Sequence, residues 1–181
     1  MRDDLVADAR KQAERSSPPV RAAALMRVAR VQSAVDPGQA RITFEMALDE
    51  IRSLPSPDRD LLFEQAQQIA AAVAPDLLPA IPSVRRFPND FHSGTLVSIM
   101  LQHGHVDAAF EYVIQCNVPF SFPFNYAVNL MHKLDDQRRL NVLRRAMDAW
   151  RAPQDAELMR THGIPQGDGH SGFIRLLQWQ G

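Results

Sequence analysis

Residues 101–110 read "LQHGHVDAAF", and two folds compete for them. The middle spells His103-Gly104-His105-Val106-Asp107, a pattern that marks a metal site in several metallohydrolases. Such a site needs the motif on a loop after a strand, a further His after the Asp, and distant ligands to complete the coordination. Here Ala108 follows the Asp, and the preceding residues Leu96, Ile99, Met100 and His103 share one helical face. Read as a turn between two helices, every letter has a use. Gly104 is the left-handed residue that ends one helix, with His103 in its last turn near open carbonyls. Asp107 falls in the first turn of the next helix, where the dipole favours an acid. The turn is the expected reading. A metal-dependent hydrolase using His103, His105 and Asp107 is the alternative. "TLVSIML", residues 95–101, has strand propensity, but its helical flanks decide for helix.

The same punctuation recurs on either side. Ser17 before Pro18 and Pro19 predicts a helix start, with Leu25, Val28, Ala29, Gln32 and Val35 at three-four spacing behind it. Asp36-Pro37-Gly38 stops that helix and caps the next, where Ile42, Phe44, Leu48 and Ile51 are apolar. Ser56-Pro57-Asp58 opens a third, "DRDLLFEQAQQIAAAVA". Prolines between 75 and 88 predict an irregular connector with one short helical turn. "VDAAFEYVIQC", "NYAVNLMHKL" and "DQRRLNVLRRAMDAW" read as later helices, with the Pro- and Phe-rich elbow "NVPFSFPF" between the first two. Short helices are also expected over 5–15 and 154–162, with a flexible Gly-rich segment over 163–172. The last residues, "GFIRLLQWQG", read as a helix beginning, so the chain is expected to be a fragment of a longer one.

Composition narrows the function classes. A chain of 181 residues with 45% hydrophobic and 23% charged residues suits one soluble domain. The formal net charge of −1 argues against a broad nucleic-acid or membrane surface. A single cysteine, Cys116, excludes an internal disulfide and is expected to be a packed thiol. No apolar run reaches membrane-span length and no secretory signal opens the chain, which makes the cytoplasm the default address. "GDGHSG", residues 167–172, spells G-x-G-x-x-G, but no apolar strand precedes it, so it reads as a linker and not a dinucleotide loop. No two of the six histidines lie four apart on a helix. No cofactor is expected.

What recurs is a helical hairpin. "VARVQSAVDPGQARITFEMALDEI", "LVSIMLQHGHVDAAFEYVIQC" and "YAVNLMHKLDDQRRLNVLRRAMDAW" each hold an apolar helix, a tight Gly or Asp turn and a second apolar helix. Ala40 and Ala109 take like positions 69 residues apart, close to two periods of about 34 residues. Ala40, Phe44 and Ala47 follow a small-aromatic-small pattern, and "GHVDAA" has a Gly-x-x-acid-x-Ala turn. In these features the chain resembles the tetratricopeptide-repeat superfamily, with Leu140 where the third hairpin would carry Ala. The resemblance implies an all-α fold of stacked antiparallel hairpins, an irregular α-α superhelix with HEAT-like stacking as a near neighbour. It also implies a protein- or peptide-binding groove lined by the first helix of each hairpin.

One repeat domain over 1–181 is therefore expected, binding a protein or peptide; a structural domain of a larger protein is the other reading. Asn125, Asn129 and Lys133 recur every fourth residue, with His132 beside them, and could hold a peptide backbone or carboxylate. Arg138 and Arg145, seven apart, are the candidates for an acidic partner, and Arg144 with Arg151 repeat that spacing.

Overall fold

Proline and aspartate set the first helix boundaries. The computed structural model describes residues 15–83, 90–116 and 122–151, with Lys11 and Gln178. The helices expected over 5–15 and 154–162 and the Gly-rich segment 163–172 lie outside the described residues, apart from Lys11 and Arg15. Helix α1 spans Pro18–Gln32, with Ser17 at the cap position but its hydroxyl unused as a cap. Helix α2 spans Pro37–Ser53, and the Asp36 carboxylate accepts the Gln39 N–H at 2.9 Å. Helix α3 spans Asp58–Val73, carries Asp58 and Asp60 in its first turn, and leads into a 3-10 helix, Pro75–Ala80. Then follow α4 (Asp90–Gln102), α5 (Val106–Gln115), α6 (Phe124–Met131) and α7 (Asp136–Arg151). Among the described residues every regular element is helical and no strand occurs. The chain is all-α, and residues 95–101 are helix.

Contacts divide the chain into two compact units, Met1–Val84 and Arg85–Gly181. The division falls inside the proline-rich segment read as a connector. In the first unit α1 and α2 pack along each other and α3 packs on both. Ala22 and Ala29 on α1, and Ala40 and Ala47 on α2, are wholly buried. Small residues seven apart let helix backbones approach, and Phe44 and Ile51 on α2 are wholly buried as well. Arg21 pairs with Glu50 at 3.1 Å, tying the start of α1 to the end of α2. Arg41 pairs with Asp76 at 2.8 Å, and its hydrogen bond holds the Asp76 carboxyl below its ordinary range. One apolar expectation changes: Val35 lies past α1 in the turn and is 60% exposed. Ile42, two residues from buried Phe44, is turned outward and 51% exposed.

In the second unit the turn at 103–105 takes its expected form. Gly104 adopts φ +79°, His105 N–H bonds the Met100 carbonyl at 2.9 Å, and Gly104 N–H bonds that of Leu101 at 3.3 Å. This is the paired Schellman closure, which satisfies carbonyls left open at the end of a helix. Ala109 N–H bonds the carbonyl of the cap residue His105, as Ala40 N–H bonds that of Asp36, both at 3.0 Å. The two alanines are thus equivalent in position and both wholly buried. Asp135 caps α7 in the same manner, accepting the Arg138 N–H at 2.9 Å. By that register the residue equivalent to Ala40 and Ala109 is Arg139, whose N–H bonds the Asp135 carbonyl, and not Leu140. Arg139 directs its Nε to the Met131 carbonyl at 3.0 Å.

Helix α4 packs on α5 and α6, and both of these pack on α7. The core holds Leu96, Val97 and Met100 from α4, Ala109 and Val113 from α5, Leu130 and Met131 from α6, and Val142 and Ala146 from α7. Phe122 and Phe124 of the elbow are buried with ring centroids 4.7 Å apart. The tightest approach is at Gly94, where an added Cβ would lie 2.1 Å from the Tyr126 ring. A glycine inside a helix costs about 1 kcal/mol relative to alanine, so Gly94→Ala would stabilise if space allowed. The contact reverses that sign. Gly94→Ala should lower the unfolding free energy by about 1–3 kcal/mol, and Tyr126→Ala in the same chain should recover part of the loss. Urea unfolding of the single and double variants checks both.

Candidate functional site

The residues of the His-x-His-x-Asp spelling divide among separate structural tasks. His103 is exposed in the turn, His105 is the cap residue of α5, and their rings lie 6.5 Å apart. Asp107, in the first turn of α5, accepts a hydrogen bond from Nη1 of Arg138. Among the described residues no group of three or more His, Cys, Asp or Glu is placed to hold a metal ion.

Arg138 and Arg145, read from sequence as an anion site, both reach α5. The Arg138 guanidinium lies 5.3 Å over the Phe110 ring, and the hydrogen bond it donates to Asp107 raises its already high pKa. Arg145 donates from Nη2 to the carbonyl of Cys116, the residue that ends α5. One arginine therefore holds the first turn of α5 and the other its last carbonyl, which cations suit. Arg138 lies 31 residues from its partner and Arg145 lies 29 from its own. Partners that advance together along both helices mean that α5 and α7 run in the same direction. Gly94 and Tyr126 place α4 and α6 in a similar register. Cys116 is a half-buried free thiol.

The amide face on α6 is solvent-facing. Asn125 and Asn129 are exposed one turn apart, and His132 and Lys133 are exposed in the turn that follows. Asn125 and Asn129 are thus on one exposed face of α6 and His132 and Lys133 in the exposed turn after it, while Arg138 and Arg145 belong to the contact between α5 and α7.

One feature of the first unit had no sequence signal. A cleft of about 410 Å³ is lined by Arg52, Arg59, Asp60, Phe63, Pro82 and Ser83. Its arginines are balanced locally: Arg52 pairs with Asp49 at 2.8 Å and Arg59 with Asp60 at 3.4 Å. No helix of the described residues is long and apolar enough to cross a membrane. Comparison of the chain with protein-family models, curated proteins and solved structures finds no match.

Two outcomes follow from this geometry. Arg145→Met should cost about 1–2 kcal/mol, the value of a charge-assisted bond to a carbonyl, whereas Arg144→Met at the exposed neighbour should change stability by less than about 0.5 kcal/mol; urea unfolding compares them. Tyr112 donates to the Ser93 hydroxyl at 3.4 Å, and burial pushes its phenol up to about 12. Its ordinary value is about 10, so the folded state favours the protonated form. The stability this contributes is intact below about pH 10 and is lost as pH rises from there through the folded value. In Tyr126→Phe, where Tyr112 is the sole tyrosine, the phenolate band should appear near pH 12 in the folded chain; appearance near pH 10 would contradict the burial.

Proposed function

We propose that the chain is a protein- or peptide-binding module built from irregular helical hairpins of the tetratricopeptide-repeat kind. One observation supports the reading: α7 lies along α5 in the same direction, through partners 31 and 29 residues apart, and Tyr126 of α6 lies against Gly94 of α4. A hairpin cannot bury its apolar faces alone, and hairpins set side by side share a core while one series of helices keeps an outward face. On α6 that face carries Asn125 and Asn129, with His132 and Lys133 after it. Amides offer both a donor and an acceptor to an extended peptide backbone, and Lys133 supplies a charge for a carboxylate.

The test is a library of extended peptides screened against the full chain and against Asn125→Ala/Asn129→Ala. Peptides selected on the unaltered chain should bind the variant about tenfold or more weakly, as the loss of two hydrogen bonds implies. Both positions are exposed, so the melting temperature should not move. Equal binding by the two proteins would sink the assignment of this face.

A further inference from the structure

Helix α7 carries two apolar faces. Val142, Ala146 and Ala149 face the core. Leu140, Leu143, Met147 and Trp150 form a second stripe, spaced three, four and three as in a coiled-coil seam. Leu140 is 47% exposed, and the other three are half-buried. At about 100° per residue the stripe lies about 170° round the helix from Arg138 and Arg145. Those two arginines reach α5, so the stripe points away from it. On α6 the same geometry holds: Tyr126 lies against α4, and half-buried Val128, two residues on, is turned the other way. The edge contact of Phe124 with Trp150, at 6.2 Å, joins the two helices. The second unit therefore carries a part-exposed apolar surface along α7, with Leu140 its exposed residue.

The rim of that surface is basic on one side. Arg138, Arg139 and Arg145 are engaged within the unit. Arg144 and Arg151 are exposed and make no ion pair among the described residues. Seven apart, they stand on the row bordering the stripe, with Asp148 on the next row out. A second copy of α7 laid antiparallel on the stripe would set Arg144 and Arg151 against their own equivalents, and like charges there are unfavourable. An acidic flank would be complementary.

We propose that this surface docks an amphipathic helix of a partner protein, one with an apolar three-four stripe and acidic residues on the flank that meets Arg144 and Arg151. The site is separate from the amide face of α6. The probe is a labelled synthetic helix with leucine at three-four spacing and glutamate along one flank, compared with a twin carrying lysine there. Anisotropy with the full chain should show the glutamate helix binding about tenfold more tightly than its twin, a gap that narrows in high salt. Arg144→Glu/Arg151→Glu should reverse the preference, and Leu140→Asp should abolish binding of both. These positions are exposed, and circular dichroism confirms that the variants fold. Equal binding of the twins, or binding indifferent to Leu140→Asp, overturns the proposal. So does a chain dimer that Leu140→Asp dissociates, which would assign the surface to a second copy. If neither helix binds, the proposal also fails, and hydrogen exchange protecting α7 would assign the cover to residues 152–181 of the chain itself.

Discussion

The second unit depends on a side chain that is missing. At Gly94 the backbone of α4 is bare, and the ring of Tyr126 occupies the place a Cβ would need. That contact sets the depth at which α6 meets α4. With α6 so placed, the short turn after it delivers α7 alongside α5, within reach of Asp107 and the Cys116 carbonyl. The helical penalty of a buried glycine is offset by ring packing, because burying an aromatic side chain is worth more than the backbone entropy that glycine loses.

The turns and small residues of this arrangement were legible in the sequence. Gly104 announced its positive φ because the flanking helices left no other residue to end the first of them. Asp36 announced its cap through the proline that follows. Ala40 and Ala109 were matched by spacing alone, and both proved to stand four residues after a cap with no exposure. The third hairpin misled, since counting from Asp135 puts Arg139, not Leu140, at the matching place. Apolar spacing also misassigned Val35, which falls in the turn after α1 and is exposed.

Roles that depend on a partner across space were not legible. Arg138 with Arg145 and Arg144 with Arg151 are both pairs seven apart, and spacing tells only that each pair shares a face. Which pair meets α5 and which meets solvent depends on the rotation of α7, which packing fixes. Gly94 was silent for a related reason: a lone glycine in "HSGTLV" reads as a weak point in a helix until the ring opposite it is known. Asn125 and Asn129 are exposed one turn apart, as their spacing alone allows.

The register of the helices is the claim on which the functional reading rests, and a proton spectrum can examine it in solution. Nuclear Overhauser contacts between the Gly94 Hα atoms and the Tyr126 ring protons, with those Hα resonances displaced by the ring current, are the predicted result. Ordinary Gly94 shifts with no contact to Tyr126 would mean that α4 and α6 do not lie side by side, and the account of the second unit would be contradicted.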